Sequence, residues 1–290
     1  MRPLRLCLVD MNNGVPNEAT RCFRVLLAGF VARARGANPG LEFSVVHVQP
    51  RNLGEAPPKD CDLALCTGGP GSPFDGYEAP WCTGFRRFLD AVVDAQASGR
   101  KSPSALVVCH SFEIAIQHFG FARMARRATR KFGIMPAYTT KEGARSDLLG
   151  TLGERFFVWE HRDWEAVELN RAKLASLDGE LWAVETRPDG GGAWKGDGLL
   201  AFRFAPGVEG TQFHPEADRD GALAWIKRPE QAAACVEAYG ETTYHRMLAS
   251  LDDPLRLART FEQLIPGWLT RTFNALAIER DLSPIAPLPA

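Results

Sequence analysis

The chain has no surplus of charge of either sign: 34 Lys and Arg stand against 35 Asp and Glu in 290 residues, a formal net charge of −1. A surface so balanced offers neither the basic stripe that nucleic acid binding draws on nor attraction to an acidic membrane surface. No nucleic acid partner is expected. No apolar run reaches bilayer length, so no membrane partner is expected either. The opening Met1-Arg2-Pro3-Leu4-Arg5, running into Leu6-Cys7-Leu8-Val9-Asp10, is too short in apolar residues for a secretory leader and reads as a first buried strand. Cysteine pairs at metal-binding spacing are also missing. The seven cysteines, at 7, 22, 61, 66, 82, 109 and 235, are an odd and scattered set, and no histidine cluster joins Cys61 and Cys66. Reduced thiols in a cytoplasm fit this usage better than a disulfide frame. No motif asks for a metal or an organic cofactor, and no internal repeat is visible.

What is present alternates between short apolar runs and helical periodicity. Strands are expected at Leu4–Val9, Phe43–Val48, Leu63–Cys66 and 105–108. Helices are expected over 17–34, with Val25, Leu26, Phe30 and Val31 on its apolar face, over 81–97, with Phe85, Phe88, Leu89 and Val92 inward, and near 113–119. Apolar strands separated by helices imply an α/β fold with a doubly wound, mostly parallel sheet flanked by helices. From Lys131 to about His214 the chain is richer in strand, at 156–160, 181–186 and 199–204, with turns at 188–192 and 195–198. After Asp218 it reads as helix after helix, punctuated by Pro229, Pro254 and Pro266. The division expected is therefore a catalytic-type domain over 1–220, a C-terminal helical extension over 221–282 and a flexible, proline-rich tail over 283–290.

Two segments carry chemistry. Ala105-Leu106-Val107-Val108-Cys109 delivers a thiol where an apolar strand stops and a turn into a helix begins. Phe213-His214-Pro215-Glu216 supplies an imidazole and a carboxylate two residues apart, which on extended backbone point to one side. A thiol needs a base and the base an orienting acid, so Cys109, His214 and Glu216 have the parts of a nucleophile, base and orienter. Each part alone has a plainer explanation. A cysteine after an apolar strand is usually core, and Gly68-Gly69-Pro70-Gly71-Ser72-Pro73 alone is a turn.

Taken together and in order, these segments resemble the class I glutamine amidotransferase superfamily. Gly68 to Pro73 is similar to the family's glycine-rich loop near the oxyanion, and Val107-Val108-Cys109-His110-Ser111-Phe112-Glu113 sits at its nucleophile motif. Val158-Trp159-Glu160-His161-Arg162-Asp163 resembles its histidine-containing segment, and Gly210 to Glu216 its His-Pro-Glu signature. The resemblance spans about residues 4–224. It implies a catalytic triad of Cys109, His214 and Glu216, an oxyanion hole from the backbone of Gly69 and His110, and substrate contacts from Glu113, Ser72 and His161. The nucleophile motif departs from the family's Gly-x-Cys-x-Gly-x-Gln: Val107 and Ser111 replace the glycines and Glu113 the glutamine. A carboxylate at that place would repel a substrate carboxylate and favour an ammonium group.

The function expected is a cysteine hydrolase that releases ammonia from glutamine, or cleaves a related γ-glutamyl or amide compound, through a thioester on Cys109. Two alternatives stand beside it: an acyltransferase using the same thioester with an amine or hydroxyl acceptor, and a non-catalytic binding module. The resemblance implies a small-molecule amide as substrate and leaves no room in this chain for a synthase, so a separate ammonia-accepting synthase is a candidate partner. The extension could serve as a homodimer interface, a lid or a docking surface.

Overall fold

The computed structural model describes residues 2–15, 17–186 and 198–289; the turns expected at 188–192 and across 195–197 lie outside them. The first half of the chain alternates strand and helix: β1 (Leu4–Val9), α1 (Glu18–Ala37), β2 (Phe43–Val48), the single turn α2 (Pro50–Leu53), β3 (Leu63–Cys66), α3 (Pro80–Ala97), β4 (Ser104–Val108) and α4 (His110–Phe119). The middle is mainly strand: β5 (Arg123–Thr139), α5 (Lys141–Arg145), β6 (Arg155–Val167), α6 (Arg171–Ser176), β7 (Glu180–Val184), β8 (Leu199–Ala205) and β9 (Val208–Thr211). Helices α7 (Arg219–Ile226), α8 (Pro229–Tyr239), α9 (Glu241–Ser250) and α10 (Arg259–Arg280) follow.

All the strands join one nine-stranded sheet in the order β2-β1-β3-β4-β9-β8-β7-β5-β6. From β2 to β9 every pairing is parallel. Beyond β9 every pairing is antiparallel. The fold is thus α/β with a mixed sheet, parallel at one end as the alternating runs require.

In the parallel half the inner strands β1, β3 and β4 are buried on both faces, and the period of two sorts their side chains. Leu6, Leu8, Leu63, Leu65, Leu106 and Val108 face α1 and α10, whereas Cys7, Val9, Ala64, Cys66, Ala105 and Val107 face α3 and α4. Helix α1 buries Cys22, Phe23, Leu26, Leu27, Phe30 and Ala34. Val25, expected on that stripe, is exposed, one residue off it. Helix α4 begins at His110 and not at Glu113, directly after the cysteine.

The helices after Asp218 pack in two places. Ile226, Cys235 and Met247 of α7, α8 and α9 close over Phe132, Ile134 and Trp159 of the β5–β6 hairpin. Helix α10 lies across the parallel half, its Leu264, Trp268, Phe273 and Leu276 buried in the same core as α1. The buried Asp62 receives Arg2 at 2.7 Å and also Arg280 at the end of α10. The segment after α10 is held by Asn38 and Asn274, which bond the backbone of Ser283 and Ile285. Among the described residues no helix is long and apolar enough to cross a membrane.

The strand β5 went unseen in the sequence, because Arg123-Met124-Ala125-Arg126-Arg127 and Lys131 break any apolar run. Its cations are matched by acids. Arg130 pairs with Asp163 at 2.7 Å, Lys131 with Glu185 at 2.6 Å, and Arg127 with Glu165 and Glu185. Arg162 and Glu160 of β6, both buried, pair with each other at 2.7 Å, and Arg162 joins the cluster through Glu185 at 2.8 Å. Burial alone would lift the Glu185 carboxyl, but Arg162, Lys131 and Arg127 outweigh it and hold the group at about 2.

Candidate active site

Cys109 sits between β4 and α4 with φ 51° and ψ −106°, a left-handed conformation uncommon for a residue with a side chain. Its surroundings over-determine that conformation. The Cys109 N–H donates to Thr211 O of β9 at 2.8 Å, and the Cys109 carbonyl accepts from Glu113 N at 2.8 Å as α4 starts. The Ser111 hydroxyl bonds back to the strand ends, accepting from Val108 N and donating to Cys66 O. Ser111, found in place of a glycine, therefore fastens the turn.

His214 reaches the same place from the end of β9, the strand that pairs with β4. Its N–H donates to Trp159 O of β6 at 2.9 Å, which pins the segment after β9 against the hairpin. The ring's Nδ1 meets Glu216 Oε1 at 2.8 Å, leaving Nε2 available to the Cys109 thiol, which lies beside the ring. Burial works against a charged His214, but Glu216 and Cys109 overcome it and hold the imidazole well above its ordinary pKa. Burial pushes the Cys109 thiol up, and His214 draws it back towards the thiolate. Cys22, another thiol lining this cavity, has no such partner; burial pushes it up to about 12. Of these two thiols, Cys109 is the one beside an imidazole.

The glycine loop completes the enclosure. A Cβ on Gly68 would lie 2.9 Å from His214 Cε1 and 3.1 Å from Cys109 Cβ, so only glycine lets the loop close over both. The Thr67 hydroxyl donates to Gly68 O at 2.8 Å. Across that planar trans peptide the N–H of Gly69 points the opposite way. His110 is the first residue of α4, where the backbone N–H has no partner within the helix.

These elements bound a cavity of about 380 Å³. Gly69, Cys109, Glu113, His161, His214 and Glu216 line it, and Ser72 and His110 do not. Ser72 instead closes its own turn, its N–H donating to Asp75 at 3.0 Å. The His110 ring, next to Cys109 in the chain, is buried with neither nitrogen hydrogen-bonded, its Nδ1 3.7 Å from Glu113 Oε2. Glu113 is 3 % exposed and accepts from Gln212 Nε2 at 3.0 Å. Its charge also raises the Cys109 thiol. His161 packs its ring on Trp225, centroids 4.8 Å apart, and burial, helped by His214 and Arg130, lowers its pKa to about 4.

Sequence reasoning missed three contributors: Gln212, which fixes Glu113; Trp159, whose carbonyl holds His214; and Thr67, which orients the loop. Gln212 and Trp159 lie inside segments already singled out, but their tasks depend on pairings between strands far apart in sequence.

No protein-family model matches the chain, and no curated protein matches it in sequence. Solved structures do match in shape. A glutamine amidotransferase from Thermotoga maritima superposes with a TM-score of 0.60 at 13% identity, over 94% of this chain and 99% of that one. One from Methylobacillus flagellatus gives 0.61 at 14% identity, over 100% of this chain and 99% of the other. At such identity the likeness concerns shape alone, and on that ground the chain has the fold of these glutamine amidotransferase structures.

Proposed function

We propose that the protein is a glutamine amidotransferase-like cysteine hydrolase, cleaving the amide of glutamine or of a related γ-glutamyl compound through a thioester on Cys109. The observation that carries this reading is the line Cys109, His214, Glu216: a thiol in a strained turn, beside an imidazole whose Nδ1 is 2.8 Å from a buried carboxylate.

In the reaction His214 Nε2 takes the Cys109 proton and Sγ bonds to the amide carbon, whose carbonyl electrons move onto oxygen. The Gly69 and His110 N–H groups receive that oxyanion, each such donor being worth roughly 3 kcal/mol in the transition state. The oxyanion collapses as the C–N bond breaks, and His214 passes its proton to the departing nitrogen. Water then attacks the thioester, giving its proton to His214, and Cys109 leaves as thiol with the acid released. Glu216 keeps the ring in one tautomer and stabilises the imidazolium.

Glu113 favours a second reading beside the first. A buried carboxylate against the nucleophile suits a substrate with an ammonium group, and an amine entering in place of water would make the protein an acyltransferase. Ammonia from the first route would pass to a separate synthase, and the seven free cysteines suit a reducing, cytoplasmic setting. Incubation with glutamine and a range of amines, reading ammonia against new amide by mass, separates the readings. Ammonia with equal free glutamate is the expected result. Amide formed at the expense of glutamate would select the transferase, and neither product would set both readings aside for glutamine.

A further inference from the structure

Arg51 lies in the single turn α2, far in sequence from the nucleophile and outside every motif discussed above. Its Nη1 donates to two backbone carbonyls at once: Pro70 O at 2.7 Å and Met11 O at 3.0 Å. The first belongs to the glycine loop, the second to the loop that follows β1. The guanidinium rests 5.7 Å from the centre of the Trp81 ring. Among the described residues no carboxylate forms an ion pair with it. A half-buried arginine that spends its donors on carbonyls and none on an acid is fastening backbone, here with both N–H bonds of one nitrogen, held in the guanidinium plane.

The packing shows what is being fastened. A Cβ on Gly69 would lie 2.1 Å from Met11 O and 3.0 Å from Arg51 Nη1. One on Gly71, at φ +101°, would lie 3.5 Å from Arg51 Nη2. The loop therefore runs against the β1 end with no side chain between them, and Arg51 closes the seam. The Thr67 hydroxyl holds the loop's entry at Gly68 O, and accepts from Met11 N at 2.9 Å. Arg51 holds its exit at Pro70 O. Gly69 is the residue between the two anchors.

We propose that Arg51 is a positioning residue for the oxyanion-binding loop, holding the Gly69 N–H where a tetrahedral intermediate on Cys109 needs it. The role rests on the acyl-transfer reading above. It acts on carbonyl attack and leaves the thiol's own reactivity alone, and two probes separate these. Iodoacetamide alkylates a thiolate at saturated carbon and builds no oxyanion. p-Nitrophenyl acetate must pass through one.

The variants are Arg51→Met and Arg51→Lys, the second keeping the charge and the contact with Trp81. Arg51→Met is expected to alkylate at Cys109 within about twofold of the wild-type rate and to lose the p-nitrophenol burst by about tenfold to hundredfold, the scale on which a displaced catalytic group acts. Arg51→Lys, with a shorter side chain and donors no longer fixed in a plane, is expected to fall between. If Arg51→Met folds poorly, Arg51→Lys alone decides, by the same split between the probes. Equal loss with both probes, or no loss with the ester, overturns the role of Arg51. A wild type that alkylates at Cys109 yet is never acylated there removes the acyl-transfer reading, and the role of Arg51 with it.

Discussion

The two halves of the sheet are built on different physics, and the candidate site lies where they meet. In the parallel half, β3 and β4 are apolar on both faces, each side chain handed to α1 and α10 or to α3 and α4. In the antiparallel half, β5 and β6 carry arginines, a lysine and glutamates that meet one another as Arg162–Glu160, Lys131–Glu185 and Arg127–Glu165. The first half delivers Cys109 from the end of a strand that water does not reach. The second, through Trp159 O, holds the segment that carries His214 and Glu216. Burial holds Cys109 in place, and matched charge holds the wall that carries His214. The two halves should therefore fail under different conditions.

The largest effect expected touches the meeting point itself. Cys109→Ala should lower turnover on the order of 10⁶-fold, as when a triad loses its nucleophile, with the thermal midpoint unchanged. Turnover near wild type in that variant would mean the junction is not the site.

A pair of substitutions then separates the halves. Leu106→Ala should cost about 2–5 kcal/mol in urea unfolding, at any pH where the protein folds. Glu185→Gln should cost about 3 kcal/mol at pH 7, from a carboxyl held at about 2 against an ordinary 4.5. Because the folded value is the lower one, that contribution is complete above about pH 4.5 and lost as pH falls towards 2. The deficit of Glu185→Gln against wild type should accordingly shrink with acid, whereas that of Leu106→Ala should not. Parallel behaviour of the two variants would erase the distinction drawn here.

The smallest effect concerns Glu113, on the parallel side of the site. Its charge raises the Cys109 thiol, so Glu113→Gln should move the pH profile of Cys109 alkylation to lower pH. Glutamine hydrolysis should rise by about tenfold if the carboxylate faces the substrate, the scale of one unit of electrostatic discrimination. An unmoved profile would show that Gln212 and His110 already screen the charge.

The difference between the halves also explains what could be read from the sequence. Runs such as Leu63–Cys66 and 105–108 announce themselves, because a strand buried on both faces must be apolar throughout. The strand β5 does not, since Arg127 and Lys131 are tolerable inside only once Glu165 and Glu185 arrive from elsewhere in the chain. Within the candidate site, Cys109, His214 and Glu216 stood out by residue type and spacing, and the fold brings the three to one cavity. Ser72 was placed at the cavity by its neighbours in the motif, yet Asp75 keeps it in a separate turn. Arg51 and Thr67 left no sequence signal, since both act on backbone carbonyls, which every residue has.

The central claim is that one buried thiol, Cys109, is the reactive group because His214 and Glu216 stand behind it. Intact-protein mass, followed by peptide mapping, after exposure at neutral pH to a chloro ketone derived from glutamine tests this most directly. A single adduct on Cys109, absent from His214→Ala, with the other six cysteines untouched, is the predicted result. Labelling of Cys22 or another thiol at a comparable rate, or labelling of Cys109 that persists unchanged without His214, would contradict it.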